Sequence, residues 1–369
     1  MPSQLRFVLF TFAALVLAAF ISFIATPLVK SLAYKVGAVD IPKDERRMHK
    51  TPIPRLGGLA IFVAFIFSVL IFGTIDTQLK GILLGAVIVT VVGVLDDIMT
   101  LKALPKFIAQ IAAAAVVVLH GCRIEFFSNP IITSHIAYIH LPVWLSVTLT
   151  ILWIVAITNA VNFIDGLDGL AVGVSGISAA TMLIVAIMVA ENDVAIVMAA
   201  LLGACLGFIP YNFNPAKIFM GDTGSTFLGF ILATVSIQGL FKLYAIISFA
   251  VPFLILGIPI FDICFAIIRR VDRGENPMHA DRGHVHHRLI DMGFSQKQSV
   301  AITYMLTAIL GLAAVVLTSS GEVKALILIG TVFIVGAIGF KLIFTVKPED
   351  RQEMHKTKQA EEGKTDEKN

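Results

Sequence analysis

The chain has 369 residues, 57% of them hydrophobic and 14% charged, with a mean hydropathy of +0.89. That composition excludes an ordinary soluble domain and places the chain in a membrane. A net charge of only +3, with the basic residues dispersed among loops, argues against nucleic acid as a partner.

Read from the N-terminus, apolar blocks recur that are long enough as helix to cross about 30 Å of hydrocarbon. They cover 5–28, 57–74, 80–95, 105–121, 143–161, 169–190, 194–211, 223–241, 244–268, 299–318 and 324–346. The pattern predicts an all-α polytopic membrane protein of about eleven transmembrane helices. The first block is longer than a signal-peptide core and lacks a small-residue cleavage site before Lys30, so a retained helix is expected. Between Gly121 and Pro142, alternating apolar residues around Asn129 and Pro130 suggest a small hairpin. Pro252 and Pro259 remove backbone donors from the ninth block and should kink or break it. Cys122, Cys205 and Cys264 show no CxxC spacing, which leaves no disulfide framework or zinc knuckle to expect. The charged tail from Lys347 to Asn369 is expected to be disordered, leaving 1–346 as a single integral membrane domain.

Orientation comes from the loops. Lys30, Lys35, Lys43, Arg46, Arg47, Lys50 and Arg55 follow the first block, and Arg269, Arg270, Arg273, Arg282 and Arg288 follow the ninth. The positive-inside rule puts both segments in the cytoplasm, and alternation then puts the N-terminus outside and the tail inside.

On that layout the acids are unevenly shared. Asp96 and Asp97 end the third block, Asp165 and Asp168 follow the fifth, Asp222 opens the eighth and Asp281 follows the ninth, all on the cytoplasmic side. Two adjacent carboxylates repel one another, a cost most simply offset by a cation such as Mg2+, which prefers oxygen ligands. Asn159, Asn162, Asp165 and Asp168 recur every third residue, so a helical turn would place neighbours on one face, with Gly166 and Gly169 letting backbone approach a ligand. The segment from Asn212 to Ser225 reads as a loop feeding a helix N-terminus, where an anion is favoured. Asp222 there is either a metal ligand facing a phosphate or simply a helix cap. After the ninth block, His279, Asp281, Arg282, His284, His286 and His287 form either a zinc site or a loop neutralising a diphosphate; the missing cysteine and fourth ligand favour the second.

Five signatures occur in order: HKTPIPRLGGLAI from His49, GVLDD from Gly93, NAVNFIDGLDGLA from Asn159, FMGDTGS from Phe219 and DRGHVHHRL from Asp281. Together, from about Asp40 to Leu289, they resemble the polyprenyl-phosphate N-acetylhexosamine-1-phosphate transferase family. The HVHH form of the last signature is similar to the branch that uses UDP-N-acetylglucosamine, whereas the muramoyl-pentapeptide branch has consecutive histidines there and usually ten spans. The resemblance implies transfer of GlcNAc-1-phosphate from UDP-GlcNAc to undecaprenyl phosphate, giving undecaprenyl-diphospho-GlcNAc and UMP, at a bacterial plasma membrane. It implies Mg2+ as cofactor, with Mn2+ able to substitute, and it admits a homodimer.

By matching motif positions, the resemblance implies Asp222 as the first metal ligand and Asp97 as the second, with Asp96 orienting or deprotonating the lipid phosphate. Asn162, Asp165 and Asp168 would line the nucleotide and catalytic pocket, and Phe219 and Asn212 would hold the uracil and its surroundings. Lys50 would approach the lipid phosphate or diphosphate. Arg270, Arg282, His284, His286 and His287 would close over the sugar and phosphates, with Arg269 and Arg273 competing for the place of Arg270. Direct attack by the lipid phosphate is expected in preference to a covalent phospho-enzyme on an aspartate. Three other readings stand beside this one. An ion-coupled transporter predicts carboxylates near mid-membrane. A CDP-alcohol phosphotransferase should carry an Ala-Arg after Asp165-Gly166, which is absent here. The muramoyl-pentapeptide enzyme is disfavoured by the histidine loop and the span count.

Overall fold

A computed structural model describes residues 3–42, 51–128, 138–240, 247–272, 274, 284–319 and 330. The long first apolar block becomes α1 (Ser3–Val36), after which β1 (Val39–Asp40) pairs antiparallel with β2 (Ile53–Pro54), Val39 opposite Pro54. Three helices follow, α2 (Gly58–Phe72), α3 (Thr77–Met99) and α4 (Ala103–Leu119). The hairpin expected between Gly121 and Pro142 is formed by β3 (Phe126–Ser128) and β4 (Tyr138–His140), with Phe126 opposite His140. The rest is helical: α5 (Val143–Phe163), α6 (Leu170–Met188), α7 (Asn192–Asn212), α8 (Gly221–Val235) with a π-helical turn at Ser236–Leu240, α9 (Ile247–Ile255), α10 (Gly257–Asp272), α11 (Val285–Asp291) and α12 (Gln296–Ser319).

Over their described residues, the apolar blocks from 5–28 to 299–318 are helical for most of their length. The block 324–346 and the tail from Lys347 lie outside the described residues. Helices α1, α3, α5, α6, α7 and α12 are each long and apolar enough to cross a membrane, and α2 and α4 are shorter apolar helices. The chain is an all-α polytopic membrane protein. Its bundle exposes large apolar side chains along α1, among them Phe12, Phe20 and Leu28, a surface suited to hydrocarbon.

The ninth block does break, at Leu256 between its two prolines. Pro259 has no N–H for the Ile255 carbonyl, and Ser178 Oγ on α6 donates to that carbonyl instead, at 3.0 Å.

Helix α8 is the centre of the bundle. It lies between α3 and α5 with α2 across its start, and every residue from Thr223 to Val235 is buried. A helix apolar on all sides is stable only when neighbours cover all sides. Glycines set how close they come: a Cβ at Gly93 of α3 would strike the backbone of Thr223, and one at Gly58 of α2 would strike that of Gly224. Gly203 and Gly207 of α7 likewise press against the carbonyls of Leu15 and Ala19 on α1, a small-residue spacing that membrane helices use for close packing.

Candidate active site

The N-terminus of α8 is where four of the five signatures meet. Phe219 N–H donates to Pro54 O at 2.8 Å, and Gly57 and Gly58 N–H donate to Phe219 O and Met220 O at 2.9 and 2.8 Å, so the first signature docks on the fourth. From the second signature, Asp97 Oδ1 accepts the Asp222 N–H at 3.0 Å, while Oδ2 accepts the Thr223 N–H at 3.0 Å and the Thr223 hydroxyl at 2.6 Å. The anion expected at this helix start is thus present as the protein's own Asp97 carboxylate, 3% exposed. Three donors on two oxygens leave Asp97 little capacity for a further ligand. Gly221 makes the approach feasible: its φ is +71°, and a Cβ there would collide with the Asp97 carboxylate. Arg55 Nε donates to the Asp97 carbonyl at 3.1 Å, fixing the C-terminal end of α3 from the other side.

Asp222 itself does not cap α8. Its Oδ2 lies 2.8 Å from Lys106 Nζ, and its Oδ1 accepts from Asn162 Nδ2 at 3.2 Å. Lys106 also reaches Asp96 Oδ2 at 2.9 Å, so one ammonium bridges the end of α3 to the start of α8. The other oxygen of Asp96 accepts the Leu101 N–H at 2.6 Å. One turn deeper, Gln110 of α4 and Asn159 of α5 pair through their side-chain amides, the shorter bond being 2.6 Å. A small cavity opens beside Lys106 and Asp222, lined by Val89, Gly93, Gln110 and Thr226.

The third signature departs from the helical spacing. Helix α5 ends at Phe163, so only Asn159 and Asn162 share its face, and Asp165 and Asp168 lie in the turn that follows. Gly169, at φ +80°, cannot continue a helix. At Gly166 the space that a side chain would take is filled by the ring of His286. Asp168 Oδ2 accepts from Asn214 Nδ2 at 2.9 Å and from Ala216 N–H at 3.0 Å, and Asn212 bridges Gly169 N–H to Ile218 O. Both residues therefore shape the loop that delivers Phe219, whose ring is half-buried.

Asp165 differs. It is half-buried, and among the described residues its carboxylate has no hydrogen-bond or ion-pair partner. Burial first, then the negative charge of Asp222, Asp97 and Asp168, pushes it up to about 8 from an ordinary 3.8. The folded protein keeps that proton over a range in which the unfolded chain has lost it, so without divalent ions stability falls as pH rises from about 4 to about 8. Asp165→Asn cannot ionise. In EDTA it should melt above wild type near pH 8 and level with it near pH 4, as read by thermal denaturation in detergent. Equal melting near pH 8 would mean that Asp165 ionises there at no cost.

The fifth signature stacks onto the third. His284 lies against Phe163 with ring centroids 5.8 Å apart, then parallel to His286 at 5.8 Å and 6°, and His286 meets His287 at 4.3 Å. Burial, reinforced by His287 and His284, pushes His286 down to about 3, and its buried Nε2 has no hydrogen-bond partner, so this ring is neutral. His287 is half-exposed and Arg270 buried in the last turn of α10, with Arg269 half-exposed beside it. Lys50, Arg273, His279, Asp281 and Arg282 lie outside the described residues.

A family model described as glycosyl transferase family 4 matches residues 79–240, the stretch that carries every acid of this cluster. A Bacillus subtilis (strain 168) protein named "probable undecaprenyl-phosphate N-acetylglucosaminyl 1-phosphate transferase" is 43% identical over 298 residues, covering 80% of this chain and 82% of its own. The chain belongs to glycosyl transferase family 4. A decaprenyl-phosphate N-acetylglucosaminephosphotransferase of Mycobacterium tuberculosis (strain ATCC 25618 / H37Rv) is 35% identical over 80% of each chain. An undecaprenyl-phosphate alpha-N-acetylglucosaminyl 1-phosphate transferase of Escherichia coli (strain K12) is 29% identical over 76% of this chain and 77% of its own.

As a family 4 glycosyl transferase the chain is an enzyme, a membrane glycosyl-1-phosphate transferase, which sets aside the transporter and the CDP-alcohol phosphotransferase. Its carboxylates sit at helix ends and in a turn, as that chemistry requires and a mid-membrane ion path does not. Two residues that hold this arrangement together went unnoticed in the sequence. Lys106 carried a signal, being a cation in the first turn of an apolar helix, the wrong end of the dipole unless acids await it. Asp262 carried one too, as a lone acid inside an apolar block.

Proposed function

We propose that this enzyme transfers GlcNAc-1-phosphate from UDP-GlcNAc to undecaprenyl phosphate, releasing UMP, at the cytoplasmic face of a bacterial plasma membrane. The observation that carries the reading is the cluster of Asp96, Asp97, Asp165 and Asp222 at one end of the bundle, with Lys106 between two of them. Its relatives' names supply the polyprenyl phosphate and the GlcNAc. On the same reading the chain crosses the bilayer eleven times, with the N-terminus outside and the tail inside, and its lipid product starts an envelope glycan such as teichoic acid.

The donor set fits Mg2+. It is all oxygen, and the half-buried Asp165 carboxylate has no partner among the described residues. Among those residues no three acids, histidines or cysteines form a cage of their own. Magnesium usually takes only one or two carboxylates and completes its shell with water and phosphate. Asp222 and Asp165 are the residues that would hold it, while Asp97 is engaged in fixing α8. When bound, it would neutralise charge on the diphosphate.

The chain's own groups do the positioning. A phosphate monoester with a second pKa of roughly 6 is largely dianionic at neutral pH, so its oxygen attacks the β-phosphorus without a strong base. One P–O bond forms and the bond from that phosphorus to the bridging oxygen breaks, with UMP leaving. Asp96 then serves to hold Lys106, whose ammonium faces the same charge as the phosphates. Asn162 orients Asp222 and is itself tied to Ser225 at 2.8 Å.

Purified protein in detergent, given UDP-GlcNAc, undecaprenyl phosphate and Mg2+, should release UMP and should stop in EDTA. Silence with UDP-GlcNAc and turnover with UDP-muramoyl-pentapeptide would reassign the donor.

A further inference from the structure

Asp262 sits in the second turn of α10, 2% exposed, in an otherwise apolar stretch. Both of its oxygens are used. Oδ1 accepts the Val285 N–H at 2.7 Å and Oδ2 lies 2.7 Å from His284 Nδ1. A carboxylate accepts and does not donate, so Nδ1 must carry the proton in this contact. Whatever the charge of the ring, Nε2 is the nitrogen left to meet anything else. Among the described residues Nε2 has no hydrogen-bond partner, and His284 keeps 8% exposure.

The ring's plane is fixed as well as its tautomer. Phe163 packs on it from α5 and His286 from α11. Phe163 adjoins Asn162, which holds Asp222, so the imidazole stands at the same end of α5 as the acid cluster. A buried carboxylate is costly unless its partners satisfy it, and here both partners belong to the start of the histidine helix.

We propose that Asp262 is a positioning residue that orients His284, holding Nδ1–H toward itself so that the Nε2 lone pair accepts from a hydroxyl of the bound sugar nucleotide. The inference rests on the transferase reading, and its test separates the two. Asp262→Asn keeps an acceptor for Val285 N–H but places an NH2 donor opposite Nδ1, which moves the ring proton to Nε2 while preserving shape.

The test is a cycle of Asp262→Asn, His284→Ala and the double variant, with kcat, KM for both substrates and melting temperature measured on full-length protein. Wild type assayed in parallel decides the substrate reading by itself. Should it use UDP-muramoyl-pentapeptide instead, the cycle is run with that donor. Asp262→Asn should lower kcat by about 10- to 100-fold with KM for undecaprenyl phosphate nearly unchanged. In the His284→Ala background it should cost nothing further, because Asp262 acts through that ring. A kcat within twofold of wild type, or losses that multiply in the double variant, would overturn the assignment. If the asparagine variant does not fold, Asp262→Ser, whose short hydroxyl leaves the ring unheld, enters the same cycle with the same two outcomes.

Discussion

Replacing Asp222 by alanine is expected to lower kcat by about 1000-fold or more while the protein still folds. Asp222 occupies the first turn of the most buried helix in the bundle, so loss of fold is the obvious objection. The structure answers it. The start of α8 is held by Asp97 through the backbone of residues 222 and 223 and the Thr223 hydroxyl, none of which the substitution touches. The Asp222 side chain is 28% exposed and faces Lys106 and Asn162. Its removal takes away a carboxylate at the proposed reacting centre and leaves Lys106 with Asp96. UMP release together with melting temperature reads both halves. Full activity at limiting Mg2+ would remove Asp222 from the site, and an unfolded variant would show that its side chain supports α8 after all.

Lys106→Ala is expected to cost about 100-fold in kcat. Lys106 is the cation that bridges the end of α3 to α8, and without it Asp96 and Asp222 face each other, and on the proposed function the substrate phosphates, with no compensating charge between them. Lys106→Arg should recover only part of the loss, because a planar fork does not reproduce a compact ammonium held between two acids. Combined with Asp222→Ala, the lysine variant should cost far less than the product of the two effects, since each removes the same contact. Effects that multiply would mean that Lys106 and Asp222 act separately.

How much of this was legible in the sequence follows from what each feature depends on. The helices were, because apolar runs report span length directly, and so was the break in α9–α10, because proline removes a specific donor. The five signatures named most of the residues that meet at α8. Their division of labour was not legible. Asp96 and Asp97 are neighbours in sequence, yet one accepts from Lys106 and the other from the backbone of α8, a difference that arises only when α3 and α8 pack at Gly93. Asp165 and Asp168 share a motif, but the turn after Phe163 sends one to a loop and leaves the other without a partner among the described residues. His286 sits in a motif suggestive of charge neutralisation, and burial against Gly166 makes it neutral. Lys106 and Asp262 were overlooked because each stood alone in its segment, with its acid or histidine partners far along the chain.

The central claim is that this cluster moves a whole sugar phosphate onto a lipid phosphate. UDP-GlcNAc carrying 32P at the β-position tests it directly, given to the purified protein with undecaprenyl phosphate and Mg2+. The label should pass into the lipid fraction one-for-one with unlabelled UMP. Label that stays in UDP, or that appears as inorganic phosphate, would contradict it.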